Sequence, residues 1–218
     1  MTTRKSNPNL LLQHIGTAAP EGLYGLADSL RKLMTTMSRI DRPSDELERA
    51  RAEIEIIRER LESVACKGDK PKLGPADGRN PERHRPYYAG NLETWHYNPI
   101  NPPTEVEIIE GRVRGQVQFD LPWEGPPGCV HGGVVAMFFD QLLGHANTVH
   151  GVGAMTAHLE VDYRRPTPLF TKLSFEAAVE SVEGRKCTTR GTLRAGDEVC
   201  AEASGLFIVM DFSTLHLP

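Results

Sequence analysis

The sequence predicts an α+β protein: one apolar helix with an antiparallel sheet wrapped around it, preceded by a helical hairpin. Three observations carry this. Residues 105–212 hold short stretches of alternating apolar and polar side chains separated by turn residues, the pattern of successive hairpins. Early in that region, Gly128 to Gly144 opens and forms a helix whose Val134, Val135, Met137, Phe138, Phe139, Leu142, Leu143 and the following Ala146 occupy most directions around a wheel, which marks it as buried. The first 65 residues instead repeat apolar side chains at alternating steps of three and four.

Composition narrows the class. The chain has 218 residues, 39% hydrophobic and 25% charged, with a net charge of −4. That balance argues against wholesale nucleic-acid binding, which needs dense Lys and Arg to neutralise phosphates. The amino-terminal apolar run is too short for a secretory signal, and no stretch reaches bilayer length, so no membrane insertion is expected. Cys66, Cys129, Cys187 and Cys200 are scattered and fit neither a disulfide frame nor a zinc knuckle. The expectation is a cytoplasmic protein with reduced thiols, no metal and no cofactor.

The first zone, residues 1–65, contains two helical stripes: Leu23, Leu26, Leu30, Leu33, Met37 and Ile40, then Leu47, Ala50, Ile54, Ile57, Leu61 and Val64. Between them Pro43 stops one helix, and Ser44 or Asp45 can cap the next. Matching stripes with a short connector predict an antiparallel hairpin packed on the main domain or on another subunit. A separate partner-binding arm is the alternative. Residues 66–104 are punctuated by Pro and Gly and read as linker and extended surface structure. Tyr87, Tyr88, Trp95 and Tyr97 are expected to pin its second half onto the body. From 105 to 212 the order is strand, strand, helix and four strands, with turns at Glu183–Lys186 and Ala195–Asp197.

The helix holds the sharpest chemical signal. Asp140 sits in its middle, and an ionised carboxylate is costly to bury unless it is paired or needed. At about 100° per residue, Gly133, Ala136, Gly144 and Asn147 fall within about 40° of it. This face of small residues leaves room for a ligand or a close neighbour. Asp140 reads equally as a functional acid or as a partly exposed edge residue paired with an Arg. Before the helix, Trp123-Glu124-Gly125-Pro126-Pro127-Gly128 must turn tightly, and His131-Gly132-Gly133 opens the first turn. Free N–H groups there, at the positive end of the dipole, can stabilise an oxyanion during acyl transfer. His145, His150 and His158 lack metal-ligand spacing.

Together, Asn98-Pro99-Ile100, Gly125-Pro126-Pro127-Gly128, His131-Gly132-Gly133, Asp140 and Tyr163-Arg164-Arg165-Pro166-Thr167-Pro168-Leu169 resemble the hotdog-fold acyl-CoA thioesterases of the PaaI/thioesterase superfamily type. The resemblance runs from about Tyr87 to Met210 and omits the two amino-terminal helices. It implies a hotdog domain, a long central helix wrapped by a curved antiparallel sheet, that works as a homodimer or dimer of dimers with sites between protomers. It further implies that the Gly132 N–H polarises the thioester carbonyl and that Asp140 is general base or nucleophile. Thr156 then assists by binding the water or the carboxylate from across the interface, and His131 orients the loop or contacts the thioester. Some relatives carry an Asn or Gln before the motif His to hold water, where this loop offers only Glu124. For the coenzyme A phosphates, Arg164, Arg165, Arg185 and Lys186 are the candidates, and Gly133 and Asn147 line the small face. The implied reaction is hydrolysis of a fatty or aryl acyl-CoA to free acid and coenzyme A. A non-catalytic acyl-CoA sensor with a partner-binding helical arm is the alternative.

Overall fold

A computed structural model describes residues 22–65 and 94–210. The anticipated linker before residue 94, with Cys66, Tyr87 and Tyr88, lies outside the described residues, as do residues 211–212.

Two amino-terminal helices form, α1 (Leu23–Met37) and α2 (Asp45–Glu62). The Ser44 hydroxyl caps α2, accepting from the Glu46 N–H at 3.2 Å. Asp45, Glu46 and Glu48 in the first turn and Arg60 in the last complement the helix dipole. α1 docks through Ala27 and Arg31, which are buried, and through Thr35, whose hydroxyl donates to Asp120 at 3.2 Å. Ala27 and Arg31 each lie one position after a stripe residue, Leu26 and Leu30, and Thr35 lies two after Leu33. The Arg31 guanidinium donates to the carbonyls of His96 (2.9 Å), Asn98 (3.0 Å) and Asn101 (2.8 Å). It thereby gathers the end of the short helix α3 (Thr94–Tyr97) and the turn after it. A polar clasp, rather than stripe-on-stripe packing, decides which face of α1 turns inward. α2 buries none of its residues.

The body is a six-stranded, wholly antiparallel sheet: β1 (Thr104–Ile109), β2 (Arg112–Val117), β3 (Ala154–Tyr163), β4 (Leu173–Glu183), β5 (Lys186–Ala195) and β6 (Glu198–Val209), in spatial order β1-β2-β4-β5-β6-β3. α4 (Gly132–Val149) joins β2 to β3 and touches the sheet from β2 to β6. This is the strand order along the chain, and the wrapped helix, that the alternation predicts. No helix among the described residues is long and apolar enough to cross a membrane.

The core centres on α4. Phe138 meets Phe175 and Phe119 edge-on, with ring centroids 5.3 and 5.9 Å apart. Val135, Phe139, Leu142, Leu143 and Ala146 are buried around it. Leu143 seats where the sheet offers glycine. A Cβ on Gly191 would lie 3.1 Å from one Leu143 methyl, and a Cβ on Gly205 would lie 3.0 Å from the other and 2.5 Å from the Phe207 ring. A side chain at either position would push the helix off the sheet. Gly205→Ala is therefore expected to cost about 1–3 kcal/mol by overpacking. A lowered urea midpoint at unchanged slope is the check, and an unchanged midpoint would refute it.

Candidate active site

The loop before α4 is stitched to the segment after β3. The Val130 N–H donates to the Thr167 carbonyl (2.8 Å) and the Leu169 N–H to the Gly128 carbonyl (3.1 Å). Thr167-Pro168-Leu169 thus acts as a backbone splint for the helix start. Gly125 allows the loop to fold back, because a Cβ there would sit 2.7 Å from the His131 Cα. Glu124 braces this turn, its carboxylate accepting from the Gly128 N–H at 2.8 Å, so it is engaged in the loop rather than free to hold water.

His131 is the N-cap of α4. Its Nδ1 accepts from the Gly133 N–H at 3.0 Å, which places the ring proton on Nε2. The His131 carbonyl accepts from Val134 (2.9 Å) and Val135 (3.1 Å). In this first turn only the Gly132 N–H lacks an acceptor among the described residues. The Gly132 carbonyl is also held, accepting from the Tyr163 hydroxyl at 2.7 Å. Tyr163 opens the Tyr163–Leu169 motif, but the sequence assigns it no role in the site. The usable signal was its place in the Leu159–Val161–Tyr163 alternation, which faces α4.

Asp140 lies half-buried, eight residues further along. Its Oδ1 accepts from the Thr156 hydroxyl at 2.8 Å, while Oδ2 has no partner among the described residues. The Asp140–Thr156 contact forms within one chain, a correction to the expected contact across an interface. A β-bulge produces it: pairing with β6 shifts between Thr156 and His158. Strict alternation would put Thr156 on the outer side with His158 and Glu160. The extra residue, Ala157, turns Thr156 toward the helix.

Around Asp140, the flank of α4 carrying Gly132, Ala136, Met137 and Gly144 is half-buried, and Gly133 is exposed. The sheet covers the other sides. Asn147 does not join this flank. It is 1% exposed, and its Oδ1 accepts from the hydroxyl of Thr189 and the thiol of Cys187 on β5. The wheel gave its direction correctly, but at its carboxyl end the helix runs beneath the sheet.

Arg164 and Arg165 follow Tyr163 and so lie near the helix start. Arg164 pairs with Asp162 and Glu202, both at 3.0 Å, and Arg165 pairs with Glu198. Arg185 lies in the β4–β5 turn and Lys186 opens β5, beside Ile208 and Val209 at the end where β3 begins. They lie at the opposite end of the sheet from Gly132, and within one chain they do not join the Gly132 group. Burial pushes the Cys187 and Cys200 thiols up, which makes them poor nucleophiles. Among the described residues no group of three or more His, Cys, Asp or Glu could hold a metal ion. The chemistry on offer is therefore one carboxylate and one backbone donor.

Residues 127–202 match the family model described as the thioesterase superfamily. A crystallised thioesterase superfamily protein is 36% identical, covering 89% of this chain and 95% of its own, with a TM-score of 0.73. The acyl-coenzyme A thioesterase THEM4 of Xenopus laevis is 41% identical over 87 residues, 39% of each chain. The mouse (Mus musculus) protein of that name is 36% identical over 105 residues, 47% of this chain and 45% of its own. The match thus spans less than half the length of these curated relatives.

The cap predicts a stability effect. His131→Ala leaves the Gly133 N–H without its acceptor and should cost about 1 kcal/mol. A denaturation midpoint equal to the parent's would show that the cap contributes nothing.

Proposed function

This chain belongs to the thioesterase superfamily, and on that footing we propose that it hydrolyses a fatty or aryl acyl-CoA to the free acid and coenzyme A. The observation that carries the reading is a pair of unspent groups on one open helix flank: the Gly132 N–H and the second oxygen of Asp140, whose first oxygen is steadied by Thr156.

Gly132 donates to the thioester carbonyl oxygen, and the positive end of α4 adds to the stabilisation as that oxygen becomes anionic. Asp140 takes a proton from water as the water oxygen bonds to the carbonyl carbon; collapse then breaks the C–S bond, and the coenzyme A thiolate leaves and is protonated. In the nucleophilic variant, Asp140 forms a mixed anhydride that water opens. Single turnover in ¹⁸O-water tests the second route: label in Asp140 marks an anhydride opened at the Asp140 carboxyl carbon, whereas direct attack by water on the thioester leaves Asp140 unlabelled.

Distance supports a site shared by two copies. Eight residues at 1.5 Å each separate Gly132 from Asp140 by about 12 Å along the axis. A carbonyl oxygen and the water attacking its carbon cannot span that gap, so Gly132 of one protomer serves the carboxylate of the other. β3 supplies the joint. It is an edge strand of 10 residues, mostly exposed, running beside the open flank. We therefore propose a homodimer, or dimer of dimers, in the cytoplasm, with residues 1–65 as helical extension, 66–104 as linker and 105–212 as catalytic domain. In this assembly Arg164 and Arg165 serve the coenzyme A phosphates, because exposed ion pairs are weak and are readily traded. His131 and Gly133 form the pocket wall.

Two variants test the proposal with a panel of acyl-CoAs and a free-thiol assay. Asp140→Asn should lower turnover by about 10²-fold or more with folding intact. Gly132→Pro deletes the N–H at a helix position that tolerates proline, and should cost about 10²–10³-fold. Undiminished turnover in Asp140→Asn would reject the catalytic role; tight binding without turnover in the parent would mark a sensor. Mixing the two inactive chains should restore activity, since one of the two shared sites in a mixed dimer is then intact. Absence of restoration would place both groups in one chain.

A further inference from the structure

We propose that α2 pairs in parallel, in register, with α2 of a second copy of this chain. The proposal does not depend on the reaction proposed above.

α2 is an 18-residue helix with no buried residue. Its apolar side chains are not scattered. Within α2, Leu47, Ile54 and Leu61 occupy one position of a seven-residue repeat and Ala50 and Ile57 the position three residues later; Val64 continues the spacing just past the helix end. Leu47, Ile54, Ile57 and Leu61 are 40–42% exposed and Val64 is 81% exposed. A stripe of this spacing is the seam along which helices associate. The isolated helix is too short to be stable without such burial.

The charges beside the seam identify the occupant. Glu46 and Glu53 run along one border, and Arg51 and Arg58 along the other. A parallel second copy sets Glu46 against the partner's Arg51 and Glu53 against the partner's Arg58, and the two-fold repeats both pairs. An antiparallel copy instead brings Arg51 against the partner's Arg58. In the single chain these arginines are engaged only locally, Arg51 with Glu48 at 3.0 Å and Arg58 with Glu55 at 2.8 Å. All four side chains are more than half exposed, so those contacts yield easily to pairing between chains. Two residues fall outside the scheme: Arg60, whose counterpart Ala65 lies past the helix end, and Ile56, which is 55% exposed away from the seam. Tethering to folded bodies raises the local concentration of the two helices and offsets their short length.

Charge exchange in the full chain tests both partner and orientation. Arg51→Glu with Arg58→Glu should raise the concentration at which assemblies dissociate by at least about tenfold in sedimentation equilibrium, and Glu46→Lys with Glu53→Lys should do the same. Mixing the two double variants should restore parental mass as a mixed assembly. With Cys66→Ser as background, Ile57→Cys should form an interchain disulfide on mild oxidation, and Ala52→Cys on the outer face should not. Parental assembly by either double variant, failure of the mixture to restore it, or equal cross-linking at positions 52 and 57 would overturn the proposal. An Ile57→Cys thiol that neither cross-links nor reacts with an alkylating reagent would show the stripe covered by its own chain, which also overturns it. Circular dichroism of each variant separates these outcomes from misfolding.

Discussion

The depth at which α4 lies against the sheet is set by Leu143, whose two methyl groups reach toward Gly191 of β5 and Gly205 of β6. Glycine at those strand positions lets the helix approach closely enough for Phe138, Phe139 and Leu142 to be excluded from water. The sheet then has no strand left to cover the helix's last side. It ends at β3, and the uncovered flank is where Asp140 sits. A buried carboxylate without a charge partner would be severely penalised. On this flank it keeps access to water and needs only the Thr156 hydroxyl. Packing on one side of the helix therefore permits chemistry on the other.

The helix start obeys a related economy of hydrogen bonds. Four N–H groups at the start of any α-helix lack intrahelical acceptors. Here the His131 N–H donates to the Trp123 carbonyl, the His131 side chain takes the Gly133 donor and the His131 carbonyl takes the Val134 donor, while Val135 makes the first regular helical bond. The Gly132 N–H is the remainder, and Tyr163 locks the carbonyl of the same residue. One strand thus holds both ends of the chemistry, Tyr163 at the donor and Thr156 at the acid.

Two surfaces of the single chain are physically incomplete. The β3 edge presents unpaired backbone groups beside the open flank, and α2 presents an apolar seam to water. Edges and seams of this kind are ordinarily closed by another chain. The first lies beside the site, and the second lies on an extension that shares no packing with it. Pairing through α2 and catalysis can therefore be tested separately.

Much of this was legible in the residues. Alternation, turn residues and an all-round apolar helix specify the strand order and the central helix, because burial in water acts on local sequence patterns. The loop glycines and Asp140 were visible as a candidate site for the same reason: they violate those patterns. Three things were not legible. The α1 stripe marked one face for packing, yet Arg31 reaches carbonyls 65 to 70 residues away and turns a different face inward. Asn147 shares a wheel direction with Asp140, yet it lies beneath β5, since a wheel has no depth. Thr156 stood on the outer side of its strand by alternation, until the bulge at Ala157 brought it to Asp140. The sequence by itself determined which segments are strand and helix and which residues are chemically unusual. Only the tertiary structure decided which of those residues meet, because register shifts and long-range hydrogen bonds depend on neighbours that lie far away in the chain.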